Sequence, residues 1–290
     1  MTGPCATGID TGFVTLGYAK VAILGVVQGI TELLPISSTA HMRIVPALLG
    51  WRDPGSAFSA AMQLAALAAV ISYFWQDVRR LAVGSVSAIG RRQFADPDLR
   101  MAIWIALATL PIMLAGVLLS DSLNACHSPF RALPVIGWAC VAMAMLMALT
   151  EILARHRRRV ENAALLDALL IGLAQVGALI PGVSRSGSTL TAALALGFGR
   201  EEAARFSFLL GIPAITLAGS KELWELHKAN LDMYGWSVLA LGLVVASISA
   251  FAAIWALMRV LERFSAWPFV LYRGALGVLL LVALANDWLI

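Results

Sequence analysis

Two long apolar stretches of the 290-residue chain are each interrupted by a short run of proline, glycine and hydroxyl residues. The stretch Val21–Leu49 breaks at Leu34–Thr39, and the stretch Ala168–Phe198 breaks at Pro181–Thr189. Proline ends a helix because it has no N–H and clashes with the preceding turn. Irregular backbone at membrane depth is tolerated only inside protein or along a wet cavity. Each stretch is therefore predicted to form two half-helices that meet at a polar break, as a re-entrant hairpin.

The composition is that of a membrane protein. The chain is 60% hydrophobic and only 13% charged, with a mean hydropathy of +0.83, whereas soluble domains are about half apolar and a quarter charged. A spanning helix needs roughly 20 apolar residues. The predicted fold class is all-α, a single polytopic membrane domain over 1–290 with six full transmembrane helices and two re-entrant helical hairpins. The six predicted spans are Ser56–Gln76, Met101–Ser120, Ala132–Thr150, 203–220, Met233–Met258 and Trp267–Leu284.

Arginine-rich loops set the predicted orientation. The loops after the first and third spans and before the last span are rich in arginine, and the alternate loops are not. Such loops stay in the cytoplasm. Both termini are therefore predicted to lie outside, with the first hairpin entering from outside and the second from the cytoplasm. The arginines of the basic loops are Arg79, Arg80, Arg91, Arg92, Arg100, Arg155, Arg157, Arg158, Arg159, Arg259 and Arg263.

The predicted layout is a hairpin plus three spans, which then recur with inverted topology. Similar residues precede the break in each half. Gly25–Gln28 precedes the first break and Gly172–Gln175 precedes the second, at nearly equal spacing. We expect a 3+3 inverted-topology repeat of approximately 19–154 and 163–290. Because inverted repeats with paired broken segments place a binding site at the midplane, the two breaks are expected to meet there.

The first break carries groups suited to nucleophilic chemistry. Gln28 and Glu32 are four residues apart and share a helix face, and a carboxylate at membrane depth is costly unless it is paired, protonated or metal-bound. If a helix starts near Ser37 or Ser38, then Ser38 and His41 also share a face, and a serine beside a histidine is the minimal activated nucleophile. Two assignments stay open: Ser38 attacks with His41 as its base, or His41 attacks and Ser38 binds phosphate.

The second break carries an arginine among hydroxyls. Ser186 or Ser188 is expected to cap the helix that follows. Arg185 at membrane depth is a functional-site hypothesis by default, and a helix N-terminus with hydroxyls and a guanidinium forms an anion site, most naturally for phosphate. The carboxylate of the first break can hold Mg²⁺ or Ca²⁺. Together the breaks predict phosphoryl hydrolysis on a membrane-embedded substrate.

Structural roles are the alternatives to these assignments. Glu32 is then a lone structural carboxylate, Arg185 snorkels to the cytoplasmic face, and His41 binds a carbonyl at the interface. The alternative function is a transporter or flippase of an anionic lipid, because inverted repeats are common in transporters. The set of Ser38, His41 and Glu32 favours an enzyme, since transport needs no nucleophile.

At both breaks the sequence resembles the undecaprenyl-diphosphate phosphatase family, which is also known for bacitracin resistance. The first family motif, Glu/Gln-x-x-x-Glu followed by Leu-Pro-x-Ser-Ser-Thr-x-His, stands here at Gln28–His41. The second motif, Pro-Gly-x-Ser-Arg-Ser-x-x-Thr, is complete at Pro181–Thr189. Further matches are Ser207–Leu210 and the pair Tyr272-Arg273. The resemblance covers essentially the whole chain.

The resemblance implies removal of the terminal phosphate from the C55 isoprenyl diphosphate carrier, which recycles the monophosphate carrier for peptidoglycan synthesis. It places the protein in the bacterial inner (plasma) membrane with its site facing the periplasm or the cell exterior. It implies Glu32 at a divalent cation, Mg²⁺ or Ca²⁺, with Ser38 or His41 as the nucleophile or its base and Arg185 on the diphosphate. The implied substrate-binding residues are Gln28, Ser37, Thr39, Ser184, Ser186 and Thr189. Many members have glutamate where Gln28 stands, and an amide is a weaker cation ligand. The expected partners are the polyprenyl diphosphate and membrane lipid, with no nucleic acid; self-association into a homo-oligomer is left open.

Overall fold

The computed structural model describes residues 11–119, 130, 132–286 and 288. These residues form α-helices joined by turns and short 3₁₀ segments, with no β-strand among them, so the all-α prediction is confirmed. Ser120, the predicted end of the second span, lies outside the described residues, as do the first ten. The helices are α1 (Gly17–Leu33), α2 (Ser38–Leu48), α3 (Ser56–Ala61), α4 (Gln63–Tyr73), α5 (Trp75–Gly90), α6 (Pro97–Leu118), α7 (Leu133–Leu153), α8 (Leu165–Val176), α9 (Arg185–Ala195), α10 (Arg200–Lys228), α11 (Met233–Arg263) and α12 (Trp267–Ala285).

Six helices of the described chain are long and apolar enough to cross a membrane, and a seventh span results if one bent pair is counted. Their number agrees with the prediction, but their membership differs. The segment Gly12–Leu33, expected to be a half-helix, reaches the length of a span. The predicted span Ser56–Gln76 is instead divided at Met62, and after Phe74 the chain turns by 80° into α5. No glycine or proline marks either break, so local sequence signals do not predict them.

Two helix pairs, α1–α2 and α8–α9, carry the predicted polar breaks between their members. We call residues 34–37 the first elbow and residues 177–184 the second elbow. Within each pair the two helices contact each other, α1 packs along α11, and α8 packs along α6. The helices α7 and α12 pack against each other, as do α4 and α10.

Small residues allow the two close helix contacts. A Cβ on Gly29 would collide with the backbone of Ala246 in α11, and a Cβ on Gly172 would collide with the backbone of Ala108 in α6. Small residues are the usual means by which helices approach closely in a membrane, where packing rather than water exclusion drives association. The two contacts therefore use the same device in the two halves of the chain.

The largest cluster of buried apolar side chains surrounds the elbows. It joins Leu33 and Ile36 of the first pair to Leu190 of the second, and continues into α10 and α11 through Leu210 and Ile254. The elbows therefore lie against this core, the first mostly buried and the second mostly half-buried. Irregular backbone is tolerated at membrane depth inside protein or along a wet cavity.

Candidate active site

The first elbow sets the start of α2. Helix α1 ends at Leu33, two residues before Pro35. Ser37 has a φ of 73°, in the left-handed region that residues with a Cβ seldom adopt. Its Oγ accepts a hydrogen bond of 3.4 Å from the Ala40 N–H and so caps α2. The predicted helix start at Ser38 is confirmed.

The second elbow has the same construction. Ser184 has a φ of 69°, and its Oγ accepts a hydrogen bond of 3.2 Å from the Gly187 N–H. Helix α9 consequently begins at Arg185. The prediction that Ser186 or Ser188 would be the cap is wrong, because the left-handed residue that ends this elbow is Ser184 and the helix has already begun beyond it.

The Glu32 carboxylate lies near the end of α1 and faces the start of α2. Ser38 Oγ donates a hydrogen bond of 2.5 Å to Glu32 Oε2, and Gln28 Nε2 donates one of 3.0 Å to the same oxygen. All three side chains are buried. Gln28 and Glu32 share a helix face, as the sequence predicts. A short bond from a hydroxyl to a carboxylate is the charge-assisted kind, and it places a proton acceptor directly on the Ser38 hydroxyl.

Arg185, the first residue of α9, faces the same carboxylate. Its Nη2 lies 3.6 Å from Glu32 Oε1, and its side chain is only 11% exposed. None of its guanidinium nitrogens has a hydrogen-bond partner among the described residues. A buried donor without a partner costs free energy, and the planar fork of a guanidinium matches two phosphate oxygens. The arrangement suits a buried anion site and does not fit an arginine that snorkels to the membrane surface.

His41 is held through both ring nitrogens. Nδ1 lies 2.7 Å from the Ser37 carbonyl oxygen, and Nε2 lies 2.6 Å from the Tyr272 hydroxyl, with the two rings stacked. Because a carbonyl only accepts, Nδ1 carries a proton, and in the neutral ring Nε2 accepts from Tyr272. The carbonyl contact predicted as the alternative role of His41 is present. The structure bonds Ser38 to Glu32 rather than to His41.

Two predicted substrate-binding hydroxyls tie the elbows to each other. Thr39 Oγ1 accepts a hydrogen bond of 3.3 Å from the Gly182 N–H. Ser186 Oγ donates a bond of 3.2 Å to the backbone carbonyl oxygen of Glu32. The predicted meeting of the two breaks is therefore seen in direct hydrogen bonds between them.

The other predicted hydroxyls also have protein partners. Thr189 Oγ1 donates a hydrogen bond of 2.9 Å to the Arg185 carbonyl oxygen and contacts the Ser207 hydroxyl of α10. Ser37 and Ser184 are the helix caps described above. These contacts hold the helix that carries Arg185, and substrate contact by these hydroxyls stays a prediction.

Arg273 of α12 joins the two elbows, and no role had been derived for it from the sequence. The side chain is fully buried. Its Nη1 donates a hydrogen bond of 3.1 Å to the Pro35 carbonyl oxygen, and its Nη2 donates to the carbonyl oxygens of Gly182 and Val183. Gly187 leaves room for it, since a Cβ there would lie 2.5 Å from Nη1. The signal that points to such a residue is an arginine inside an apolar span.

A cleft of 170 Å³ opens beside the elbows. Its walls combine polar and apolar side chains, as binding of an amphiphile requires. Among its lining residues are Thr39, Met42 and Arg43 of α2, Gln63 of α4, and Leu179 and Pro181 of the second elbow. A larger cavity of 420 Å³ lies elsewhere, beside Asp77 and Arg205, and shares none of these residues.

The donor set around Glu32 limits which metal site can form. No group of three or more His, Cys, Asp or Glu side chains gathers among the described residues. Calcium prefers six to eight oxygen ligands, whereas magnesium is often held by one or two carboxylates together with substrate phosphates. One buried carboxylate beside the Gln28 amide fits the second kind of site, in which the substrate supplies the remaining oxygens.

The amino-acid sequence matches a known protein family and several named relatives. The family described as "Bacitracin resistance protein BacA" matches residues 21–279. The chain is 76% identical to undecaprenyl-diphosphatase 2 of Mesorhizobium japonicum over 90% of its own length and 99% of that protein. It is 45% identical to the undecaprenyl-diphosphatase of Trichormus variabilis over 96% of its length and 87% of that protein, and 47% identical to that of Gloeobacter violaceus over 93% of each. The chain belongs to the bacitracin resistance protein BacA family.

Proposed function

We propose that the protein hydrolyses the phosphoanhydride bond of undecaprenyl diphosphate, releasing phosphate and returning the monophosphate carrier lipid to cell-wall synthesis. One observation carries this function: the buried Arg185 guanidinium, without a hydrogen-bond partner among the described residues, lies beside the Ser38–Glu32 pair. An anion-binding group and a hydroxyl already bonded to a base are the two parts that phosphoryl transfer needs. The three relatives reported above carry the name of a diphosphatase, and none carries that of a transporter.

In the first step, Ser38 Oγ attacks the terminal phosphorus and Glu32 takes the hydroxyl proton. The Oγ–P bond forms as the bond from phosphorus to the bridging oxygen breaks, and the electron pair leaves with the monophosphate lipid. Arg185 offsets the negative charge on the transferring group. The 2.5 Å bond from Ser38 Oγ to Glu32 Oε2 supports this choice of base.

In the second step, water attacks the phosphorus of the phosphoserine. The P–Oγ bond breaks, Glu32 returns its proton to Ser38 Oγ, and the atoms of the water leave with inorganic phosphate as H₂PO₄⁻. The alternative, in which His41 attacks phosphorus, requires Nε2 to leave the Tyr272 hydroxyl first. We therefore assign His41 to positioning of the first elbow, where it joins the Ser37 carbonyl to α12.

Glu32 is also the proposed ligand of a divalent cation. Glu32 and the Gln28 side-chain carbonyl would hold Mg²⁺ or Ca²⁺ together with phosphate oxygens of the substrate, and the bound ion supplies positive charge that complements Arg185. Chelation is expected to lower the rate of phosphate release, and added Mg²⁺ is expected to restore it. An unchanged rate in excess chelator would contradict the metal.

The function is tested by phosphate release from C55 and C15 diphosphates by the purified protein in detergent. We expect release by the wild-type protein and its loss in Arg185→Ala, with both proteins eluting as single folded species in gel filtration. A folded wild-type protein that releases no phosphate, with Mg²⁺ or Ca²⁺ supplied, contradicts a diphosphatase. Lipid translocation in vesicles without phosphate release would support the transporter instead.

We also infer that both helix pairs are re-entrant and belong to inverted repeats of approximately 19–154 and 163–290. The packing supports this, because α1 lies on α11 while α8 lies on α6, as an exchange of equivalent helices requires. The arginine-rich loops then lie in the cytoplasm, with the site facing the periplasm of the inner membrane. In a protein without its native cysteines, a membrane-impermeant maleimide should label Trp288→Cys from outside. It should label Arg157→Cys only after permeabilisation, and the opposite pattern would refute the orientation.

A further inference from the structure

Helix α5 is bent by 80° from the apolar segment Ala57–Tyr73 that precedes it, and the two together are long and apolar enough to count as one span candidate. One of its faces, with Asp77, Leu81 and Ala88, is buried, and the helix packs against α6. A helix at this angle to a membrane span lies near the plane of the membrane rather than across it. Its location, directly after an apolar span and before an arginine-rich segment, is that of an interfacial helix.

The opposite face of α5 exposes an apolar strip, which consists of Trp75, Val83, Val86 and Ile89. These side chains are between 56% and 72% exposed. They lie on the face opposite the buried residues, since they recur at helical spacing. Within the described chain no element buries this strip. On a helix attached to a membrane span, such a strip is the face that acyl chains cover.

A groove of 390 Å³ lies between the apolar strip and the start of α6. Gly84 permits the close approach of α6, because a Cβ there would lie 2.8 Å from Asp98 Oδ2. Arg80 Nε lies 3.1 Å from Asp98 Oδ1 across the groove. The groove thus brings guanidinium groups next to apolar side chains. Its lining includes Trp75, Arg79, Arg80, Val83, Gly84 and Asp98.

The charge around the groove is positive. The segment 75–100 contains five arginines and three aspartates. All three aspartates are engaged: one pairs with Arg205, one caps α6, and one pairs with Arg80. Among the described residues, no carboxylate pairs with Arg79 or with the arginines at 91, 92 and 100. The ligand that complements this surface is therefore an anion.

We propose that this groove binds the headgroup phosphate of an anionic phospholipid, whose acyl chains lie along the apolar strip. Arg79 and Arg80 donate hydrogen bonds to the phosphate oxygens, and the Trp75 ring lies at the level of the headgroups. A phospholipid is the occupant because phosphate and hydrocarbon are joined in one molecule, as guanidinium and apolar strip are joined in one groove. The site lies apart from the elbows and is independent of the proposed hydrolysis.

The test is native mass spectrometry of the full chain, transferred from detergent micelles that contain equal amounts of phosphatidylglycerol and phosphatidylcholine with the same chains. We expect the wild-type protein to retain phosphatidylglycerol in excess. R79Q/R80Q should lower that retention by about fivefold for each arginine removed. R79Q alone leaves the Arg80–Asp98 pair intact, so its loss of retention does not depend on that contact. The matched control R155Q/R157Q removes the same charge from a loop outside the groove and should retain the lipid.

A second measurement reports on the apolar strip. Phosphatidylglycerol with brominated chains should quench the tryptophan fluorescence of the wild-type protein more than that of W75F. Equal retention of the two lipids by the wild-type protein overturns the proposal, and so does an equal loss in both double variants. Displacement of phosphatidylglycerol by millimolar inorganic phosphate would also overturn it, because the groove would then be a site for small anions.

Discussion

Ser37 in the first elbow and Ser184 in the second elbow occupy equivalent positions. Each has a φ near 70°, follows a proline by two or three residues, and caps the next helix through its own hydroxyl. The backbone at the cap, which we call the frame, is therefore alike in the two elbows, although the second elbow is longer and contains a 3₁₀ turn. In both, the frame presents the first turn of a helix, which is where anions bind.

The elbows differ in the side chain that follows the cap. It is Ser38 in the first and Arg185 in the second, and both lie at Glu32. In the proposed mechanism, the first elbow supplies the attacking group and the second supplies the charge that binds phosphate. Two copies of one backbone frame can thus be specialised by single residues, because the frame fixes where a side chain begins and the residue type fixes its chemistry.

The largest loss of activity is expected when the proposed nucleophile of the first elbow, Ser38, is removed. Ser38→Ala should lower kcat by about a thousandfold or more, since no other hydroxyl is bonded to the Glu32 carboxylate among the described residues. Phosphate release measures this, with Ser37→Ala as the matched control from the same elbow. If Ser38→Ala keeps a tenth of the wild-type kcat while His41→Ala is inactive, then His41 is the nucleophile. An acid-labile phosphorylated residue after rapid quench would identify it, since phosphoserine is stable to acid.

The corresponding change in the second elbow is Arg185→Lys, which keeps the positive charge and removes the planar guanidinium. Arg185→Lys should lower kcat/KM by roughly a hundredfold or more, because an ammonium cannot donate two parallel bonds to phosphate. Arg200→Lys is the control, since it makes the same change in an ion pair away from the elbows. Near-normal kcat/KM in Arg185→Lys would show that only the positive charge matters.

The two buried glutamines, Gln28 before the first elbow and Gln175 before the second, allow the two halves to be compared by the same substitution. Gln28 donates to Glu32, whereas Gln175 is fully buried with no hydrogen-bond partner among the described residues. Gln28→Leu should lower kcat/KM by roughly tenfold or more, because it removes a hydrogen bond to a charged group. Gln175→Leu should leave kinetics unchanged and stability unchanged or higher, because it removes an unpaired buried amide. Equal kinetic loss in both variants would show that Gln175 also serves the site.

The smallest effects are expected at the caps, where the elbows should respond alike. Ser37→Ala and Ser184→Ala should each cost about 1 kcal/mol of stability, and the two Gly variants should cost less, because glycine accepts the left-handed backbone. Thermal unfolding in detergent compares the four proteins. A loss confined to one elbow would show that the two frames are not equivalent in energy.

The sequence predicted the parts of the site that depend on local rules. The break at Pro35, the helix start at Ser38 and the shared face of Gln28 and Glu32 follow from proline chemistry and helical spacing, and the structure contains all three. The meeting of the two breaks followed from the repeated pattern. Those features depend on residues a few positions apart in the chain or on the similar residue pattern of the two broken stretches.

The parts that escaped prediction depend on distant partners or on backbone angles. Tyr272 contacts His41 of α2, and Arg273 contacts Pro35 of the first elbow. Each pair is separated by more than 230 residues, so spacing gives no sign of these contacts. The cap at Ser184 depends on where the elbow adopts a positive φ, which the run of serines leaves ambiguous. The 80° turn after Phe74 has no glycine or proline to mark it.

The bonds from Arg273 to both elbows have a consequence for the order in which the protein is made. A ribosome that has passed residue 200 has completed both elbows, but the guanidinium that joins them is not yet synthesised. The elbows therefore lack the hydrogen bonds from Arg273 until α12 has entered the bilayer and packed on α7. The contact that joins the two elbows is thereby tied to the insertion of this helix, and a nascent chain halted before it lacks that contact.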